Sequence, residues 1–324
     1  MTTYKEIFGK YVKNYSSDPS SDIEGQIWYN STSGTFKSNV ILAAAWASGG
    51  NMNTARRTLG GAGTQTAALG FGANPPTNTG SESYNGSTWT NTPSMNTGRT
   101  QVNGCGTQTA ALAVSGRLPP SFTTLTGATE EYNGSSWSSN PTSLNTTRDF
   151  GSLAGLQTAS IYFGGATTYV GSPLSAATES YNGSTWTSVN SLNTARRGLG
   201  GAGTQTAGLA FGGLNPGNTS ATELWNGTSW TSNPTGLGTA RYSVQGAGTQ
   251  TAAIGITGNN PGCELFNGTS WSATANVALT RIYSAAGTNS PNTAAIVFGG
   301  GPPNTASTEE FSGDALATRT ITTS

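Results

Sequence analysis

The sequence predicts an all-β fold in which six copies of one structural unit close into a ring. Each copy runs from an arginine through a glycine-rich stretch with TQTA or a relative of it to an acidic–aromatic pair. Five copies continue through NGS or NGT to a tryptophan, whereas the sixth reaches Phe311 and lacks one. Trp46 stands ten residues before Arg56, as Trp89 does before Arg99, so we expect the N-terminal strand to complete the sixth copy. The arginines are Arg56, Arg99, Arg148, Arg196, Arg241 and Arg281, and the tryptophans are Trp89, Trp137, Trp186, Trp230 and Trp271.

Each unit can be divided into four short strands, which we call A to D. In the first unit, strand A covers residues 56–63, a TQ turn leads into strand B at 66–72, and strand C covers 81–85 after a loop. An Asn-Gly turn then reverses the chain into strand D, which carries the tryptophan, and Asn-Gly is the strongest short signal for a hairpin. Four antiparallel strands per repeat are typical of a β-propeller blade. We therefore predict a six-bladed β-propeller over residues 38–324.

The first 37 residues form a separate segment by composition, because they hold all four lysines of the chain. The C-terminal residues ALATRTITTS leave one alternative open. They could supply strand D of the sixth blade themselves, with Leu316 where the tryptophan is expected, but the Trp46 spacing favours closure by the N-terminal strand.

The repeat resembles the kelch-type β-propeller from about residue 40 to residue 316. The resemblance rests on a double glycine after strand B, on the spacing from the strand C aromatic to the tryptophan, and on the arginine ten or eleven residues further on. The double glycines are Gly164-Gly165, Gly212-Gly213 and Gly299-Gly300, and three blades depart from them with Gly72-Ala73, Ser115-Gly116 and Thr257-Gly258.

Composition argues against several classes of function. The 14 basic and 14 acidic residues balance, so no basic stripe is expected for nucleic acid. No apolar run approaches the roughly 18 residues of a membrane-spanning helix, so membrane insertion is not expected. Histidine is absent, which removes Ser-His-Asp and Cys-His catalysis and the usual zinc sites. We therefore expect no enzyme activity, no cofactor and no metal, and we expect Cys105 and Cys263 to be buried or half-buried free thiols.

One glutamate precedes the strand C aromatic in every blade, which matches the one arginine per blade. A pair of these glutamates could act as general acid and base in glycoside hydrolysis. Because they recur evenly, we interpret them as structural ion pairs with the repeat arginines, and the tryptophans and tyrosines as packing between blades. The glutamates are Glu82, Glu130, Glu179, Glu223, Glu264 and Glu309.

The B–C loops differ most between the copies, and alternation of strand direction places them on one face together with the D–A connections. The long loops of blades two and three carry an apolar and aromatic cluster with one cation, which we predict as a contact patch. The alternative is that these loops only fold onto the ring. The predicted patch consists of Arg117, Phe122, Leu125, Tyr169, Val170 and Leu174, with Asp149 as the one acidic residue nearby that falls outside the repeat pattern.

Residues 16–40 predict a small hairpin, with one strand at 26–30, a turn at 31–34 and a return strand from 35. The GQIWYN motif, followed by Phe36 and Lys37, resembles a short element of tail and appendage proteins of marine bacteriophages. The resemblance implies a non-enzymatic virion protein, such as a tail fibre or a capsid decoration, located on the particle surface. Its attachment segment, residues 1–37, would contact other virion proteins and assemble into a homo-oligomer or a larger complex through Ile27, Trp28, Tyr29 and Phe36.

In that setting the propeller would contact a host surface glycan or protein. Two alternatives remain open: an extracellular carbohydrate-active or glycan-binding propeller, and a bacterial adhesion or scaffold propeller unrelated to viruses.

Overall fold

The computed structural model describes residues 12–19, 24–74, 79–170 and 173–321, and the regular structure of these residues is entirely β. The chain divides into two compact units, one formed by Met1–Ala45 with Gly313–Ser324 and the other by Trp46–Ser312. No helix in the described part of the chain is long and apolar enough to span a bilayer.

The described residues form thirty strands, which we number in chain order. The first fourteen are β1 (Lys13–Tyr15), β2 (Ile27–Asn30), β3 (Thr35–Leu42), β4 (Ala45–Ser48), β5 (Gly60–Thr64), β6 (Ala67–Phe71), β7 (Ser81–Tyr84), β8 (Trp89–Thr92), β9 (Asn103–Gly106), β10 (Ala111–Val114), β11 (Arg117–Leu118), β12 (Thr124–Leu125), β13 (Thr129–Tyr132) and β14 (Trp137–Asn140). The others are β15 (Ser152–Leu156), β16 (Ala159–Phe163), β17 (Thr178–Tyr181), β18 (Trp186–Val189), β19 (Gly200–Gly203), β20 (Gly208–Phe211), β21 (Thr222–Trp225), β22 (Trp230–Asn233), β23 (Gln245–Gly248), β24 (Ala253–Ile256), β25 (Cys263–Phe266), β26 (Trp271–Thr274), β27 (Ala285–Ala286), β28 (Ile296–Phe298), β29 (Thr308–Ser312) and β30 (Ala315–Thr320).

The larger unit is a β-propeller, as the sequence predicts. Its described strands form six four-stranded sheets, and the first strand of each sheet contacts the first strand of the next, with β27 returning to β5. The sheet orders are β5-β6-β7-β8, β9-β10-β13-β14, β15-β16-β17-β18, β19-β20-β21-β22, β23-β24-β25-β26 and β27-β28-β29-β4. Strands β11 and β12 form a separate hairpin inside the B–C loop of the second sheet.

The ring is closed by the N-terminal strand. Strand β4 lies beside β29 as the fourth strand of the sixth sheet, and the Gly49 N–H donates a hydrogen bond to the Thr308 carbonyl at 2.9 Å. Trp46 packs on Phe311 with ring centroids 5.2 Å apart, which matches the 5.0 Å between Trp89 and Tyr84 in the first blade. The prediction of N-terminal closure is confirmed.

The alternative, closure by the C-terminal tail, is wrong, because β30 pairs with β3 in the smaller unit, where Leu316 lies opposite Ile41. The predicted boundary after residue 37 also differs from the observed division. It falls inside β3, and the chain after Ser312 belongs with the N-terminal segment. Lysine content marks a change in composition, but it does not indicate where a strand ends.

Neighbouring blades are joined by the closing tryptophans. Each contacts the aromatic residue of its own third strand and, in four blades, a phenylalanine from the second strand of the preceding blade, as in the 4.9 Å pair of Trp137 with Phe71. The packing interpretation of the tryptophans is therefore confirmed. The other three such pairs are Trp89 with Phe298, Trp230 with Phe163 and Trp271 with Phe211.

The glutamine of the TQ turn provides a second connection between blades, which the sequence analysis missed. The Gln108 amide donates to the carbonyls of Ala68 and Tyr84 in the preceding blade, at 3.0 and 2.6 Å. Gln157 and Gln250 donate in the same way to the two equivalent carbonyls of the blade that precedes each of them. The A–B turns of five blades therefore each satisfy at least one carbonyl of the preceding blade through their glutamine.

The smaller unit contains the predicted hairpin, β2 and β3, within a sheet of order β1-β2-β3-β30. Asp18 holds this sheet to the preceding loop, because its carboxylate accepts hydrogen bonds from Trp28 Nε1 at 3.1 Å, Asn30 Nδ2 at 2.7 Å and Lys37 Nζ at 2.8 Å. The hydrogen bond from Lys37 is the largest of the causes that lower the pKa of Asp18.

Candidate binding site at the mouth of the ring

The repeat arginines and glutamates form one ion pair in each blade, as predicted. Both partners are buried in every pair, for example Arg99 with Glu130 at 3.2 Å and Arg196 with Glu223 at 2.8 Å. Each glutamate also accepts a backbone N–H from the residue three before the arginine, such as Asn193 at 2.7 Å. The glutamates therefore fix the D–A connections, and they are occupied by the scaffold. The remaining pairs are Arg56–Glu82, Arg148–Glu179, Arg241–Glu264 and Arg281–Glu309.

The second residue after each repeat arginine belongs to a circle of six residues around the ring axis. This residue has a left-handed backbone in all six blades, with φ between 53° at Phe150 and 61° at Gly198. Its N–H donates to the equivalent carbonyl of the preceding blade in four blades, for example from Gln101 to Thr58 at 2.9 Å. A left-handed conformation is unfavourable for most residues, so its recurrence indicates that the ring imposes it. The six residues are Thr58, Gln101, Phe150, Gly198, Ser243 and Tyr283.

A second repeated contact fastens the start of each B–C loop to this circle. The carbonyl of the residue directly after the repeat arginine accepts a hydrogen bond from a backbone N–H of the loop, as between Arg197 and Leu214 at 2.8 Å. The same bond occurs in all six blades. The backbone is thus constant while the side chains differ, which is the arrangement expected of a binding surface built on a repeat. The other pairs are Arg57 with Asn74, Thr100 with Arg117, Asp149 with Ala166, Tyr242 with Asn259 and Ile282 with Gly301.

These variable side chains surround a depression of about 440 Å³, which we call the mouth. Arg57, Arg117 and Arg197 all line it, and they are the only arginines of Trp46–Ser312 outside the repeat ion pairs. The charges that break the repeat symmetry therefore converge on one place. The remaining lining residues are Thr58, Asn74, Gln101, Phe150, Tyr169, Ile282, Tyr283 and Pro302.

Arg117 is held in a fixed orientation. Its Nε donates to the buried Asp149 carboxylate, and its Nη2 donates to the Tyr169 carbonyl at 3.1 Å. The guanidinium lies 5.1 Å from the Phe150 ring centroid and 4.8 Å from that of Tyr169, within cation–π range. Burial raises the pKa of Asp149, and the positive charge of Arg117 acts against that rise. Asp149 thus compensates the charge of Arg117.

Arg57 and Arg197 are half-buried and form no salt bridge within the described ranges. Arg197 lies 5.6 Å from the centroid of Phe150. Burial raises the pKa of Tyr283, and the charges of Arg197, Arg57 and Arg117 counteract this effect, as expected for a phenol that all three face. The mouth therefore carries two positive charges without a carboxylate partner.

The floor of the mouth is aromatic. Phe150 and Tyr283 extend from opposite blades, the third and the sixth, and their ring centroids are 5.9 Å apart. Beyond them lies a narrow axial cavity of about 90 Å³, lined by the first strands and by the six-residue circle. A ligand in the mouth would thus rest on two aromatic rings rather than pass along the axis.

The structure brings together only part of the predicted contact patch. Arg117, Asp149 and Tyr169 lie in direct contact. Four other members do not line the mouth: Phe122 and Leu174 are half-buried in their loops, Leu125 lies opposite Arg117 in the β11–β12 hairpin, and Val170 is 75% exposed. Sequence reasoning missed Arg57, Arg197, Phe150 and Tyr283. The signal was the variability of the two positions after each repeat arginine.

The predicted attachment residues separate into a buried and an exposed group. Trp28 is fully buried and bonded to Asp18, so it stabilises the smaller unit and does not offer a contact surface, contrary to the prediction. Ile27 is 45% exposed, and Tyr29 packs on Phe36 at 5.2 Å. Since paired residues share a sheet face, Ile27 and the Tyr29–Phe36 pair lie on one face, together with Val40 and the exposed Leu42.

Comparison with known proteins identifies the fold but no family. No family model matches the sequence, and no curated protein matches it. Among 332 matching chains of solved structures is one described as "Structure of YjhT", with a TM-score of 0.68 and 11% identity. The alignment covers 82% of this chain and 99% of that one. At 11% identity, the likeness supports the fold alone.

Proposed function

We propose that the chain is a non-enzymatic binding protein of a bacteriophage virion, located on the particle surface as a tail fibre, an appendage or a capsid decoration. In this proposal the propeller contacts the host through the mouth, and the smaller unit attaches to other virion proteins. The observation that carries the binding role is the convergence of Arg57, Arg117 and Arg197, the only arginines of Trp46–Ser312 outside the repeat ion pairs.

The kelch-like character of the ring is supported by the backbone after each second strand. The first residue of the double-glycine position has a positive φ in all six blades, including 63° at Ser115 and 45° at Thr257, where the glycine is replaced. The geometry is therefore the same where the motif departs from the pattern. These two replacements do not argue against the kelch resemblance.

The engagement of the carboxylates supports a non-enzymatic role. Six of the nine in Trp46–Ser312 hold the repeat arginines, and Asp149 holds Arg117. The other two, Glu131 and Glu310, accept hydrogen bonds from the hydroxyls of Tyr181 and Tyr84. A general acid and base would have to be recruited from groups that already have a structural partner.

Exposed apolar side chains support attachment through the smaller unit. Ile27 and Leu42, which lie on one face of its small sheet, are each 40% exposed or more, and so is Ile321 directly after β30. Apolar patches of this kind mark interaction sites on soluble proteins.

The virion role is tested by immunogold electron microscopy of purified particles with an antibody against the ring. We expect the antibody to label the particles. We also expect the Ile27→Asp/Leu42→Asp variant to fold and to be absent from purified particles. Ile41→Asp, which changes a similarly exposed apolar residue on the opposite face of β3, should still assemble. Particles without label, or full incorporation of the double variant, would contradict the proposal.

A second candidate, a glycan-binding or carbohydrate-active extracellular propeller, is favoured by the aromatic rings beside the arginines of the mouth. A hydrolysis assay on the purified protein distinguishes the carbohydrate-active enzyme from the non-enzymatic binding protein. Hydrolysis of any glycan in a panel, lost in Asp149→Ala or Glu131→Ala, would establish the enzyme instead.

A further inference from the structure

We propose that the mouth binds an acidic saccharide by a terminal sugar residue that carries a carboxylate or a sulfate. The proposal deepens the proposed function, since it rests on the mouth as the contact site and names the chemistry of its ligand.

The charge balance of the mouth favours an anionic ligand. Three arginines and one aspartate line or support the mouth, and the aspartate is engaged by Arg117. The two remaining guanidiniums are half-buried, so an anion in the mouth would exchange water for charge-assisted hydrogen bonds in a partly desolvated place. Arginine is suited to this because its planar guanidinium can donate two parallel N–H hydrogen bonds to one carboxylate or sulfate group.

The arginines belong to different blades, the first, the second and the fourth, and still meet in one depression. Arg117 and Arg197 lie 5.1 and 5.6 Å from the same Phe150 ring centroid, so a compact anionic group can face both at once. Arg117 is already immobilised by Asp149, by the Tyr169 carbonyl and by two aromatic rings. Little side-chain freedom remains to be lost there when a ligand binds.

The uncharged groups of the mouth suit a polyol. Asn74 Oδ1 accepts hydrogen bonds from Thr58 Oγ1 at 2.8 Å and from Thr100 Oγ1 at 2.6 Å, which leaves the amide N–H groups of Asn74 as donors. Gln101 adds a second amide beside it. Hydroxyl groups next to the anion would find these partners, while the sugar ring lies on Phe150, Tyr283 or the 49% exposed Tyr169.

The size and the charge distribution limit the ligand to a terminal residue. About 440 Å³ lies near the lower end of the ~300–1,000 Å³ of small-ligand sites, and the floor is closed by two rings. Outside the mouth, every repeat arginine is paired, so no basic track continues over the described residues of Trp46–Ser312. A nucleic acid, which needs successive phosphate contacts, is therefore disfavoured.

The test is a glycan array followed by calorimetry with the full chain. Oligosaccharides ending in glucuronate or in a sulfated sugar are compared with neutral ones of the same linkage and with an acidic peptide. We expect binding of acidic saccharides, weakened about thirtyfold or more by Arg57→Gln/Arg197→Gln. A preference for the carboxylated or for the sulfated series then distinguishes the two anions.

Arg319→Gln in the smaller unit is the matched control, and thermal melting shows whether the double variant folds. The proposal is overturned if no acidic saccharide binds, if neutral ones bind equally, if the acidic peptide alone binds, or if the double variant binds as well as the parent. Particle labelling and host adsorption are scored separately. Saccharide binding without a place in particles would remove only the virion role, and adsorption without saccharide binding would remove only this inference.

Discussion

Four of the closing tryptophans donate a hydrogen bond to a hydroxyl group in the preceding blade. The indole Nε1 of Trp89 donates to Thr308 Oγ1 at 2.9 Å, and Trp186, Trp230 and Trp271 make the same bond to threonines at the start of the preceding third strand. In the second blade, serine replaces that threonine. Trp137 Nε1 and Ser81 Oγ are both buried there without a hydrogen-bond partner among the described residues.

We expect Ser81→Thr to stabilise the protein. Threonine restricts the hydroxyl rotamer as in the other blades, so the bond to Trp137 can form and two buried polar atoms gain a partner. One such bond contributes about 1 kcal/mol to the free energy of unfolding. The measurement is chemical denaturation, with Ser83→Thr, on the same strand, as the control. An equal gain in the control variant would mean that β-propensity, not the hydrogen bond, is responsible.

The two thiols should be inert in the folded protein. Cys105 is fully buried, and burial raises its pKa to about 12; burial also raises the pKa of Cys263. The reactive thiolate is therefore scarce at pH 8 as well as inaccessible. Titration with a thiol reagent should give no rapid reaction in buffer and two thiols per chain in denaturant. Fast labelling of either cysteine in buffer would show that its blade opens.

At the scale of the strand, the sequence predicts where the second and third strands of a blade begin, but it does not predict the start of the first strand. In blade one the second and third strands begin within one residue of the prediction, because the TQ and Asn-Gly turns mark where the chain must reverse. Strand A was predicted from Arg56, but β5 begins at Gly60. The intervening residues include Thr58 with φ 59°, a local requirement of the ring that composition does not reveal.

This error in the first strands explains why the candidate site was only partly predicted. A sequence that predicts a strand from the repeat arginine onward also predicts that Arg57, Phe150 and Arg197 belong to the scaffold, whereas they line the mouth. Arg117 and Tyr169 were found because they lie in loops that differ in length between blades. Convergence from non-adjacent blades depends on the ring geometry, which a single sequence does not give.

The buried ion pairs stabilise the connection between strands D and A. Glu179 accepts hydrogen bonds from Arg148 and from the N–H groups of Asn145 and Thr146, the latter two at 2.6 and 3.2 Å. Glu179→Gln would leave the Arg148 charge buried without compensation, at a cost of about 3–5 kcal/mol in unfolding free energy. Denaturant unfolding measures it. Glu131→Gln, on the neighbouring blade and half-buried, should cost much less, and equal losses would contradict the argument.

At the scale of the whole molecule, the propeller balances its nine arginines with nine carboxylates while concentrating the unpaired positive charge in the mouth. The repeat pairs cancel within each blade, so the field above the neutral ring is set by the few residues that depart from the repeat. Loop variation can thus change the ligand without altering the blades, which is how propellers carry different functions on one scaffold.

The integrity of this scaffold depends on ring closure by β4. We expect residues 45–312 alone to fold cooperatively, since their division from the smaller unit follows the compact units of the chain. A chain that begins at Gly49 lacks β4, exposes the edge of β29 and loses the packing of Trp46 on Phe311 together with the Trp46 Nε1 bond to the Ala275 carbonyl. An open edge of this kind pairs with other chains.

The two truncated chains are compared by thermal melting and by light scattering. The chain that starts at Gly49 should melt lower and associate, and Trp46→Ala in the full chain should cost about 2 kcal/mol, less than a fully buried tryptophan because Trp46 is half-buried. If the ring without β4 stayed monomeric and equally stable, the sixth blade would hold with three strands. The pairing of β4 with β29 would then not be needed for the stability of the ring.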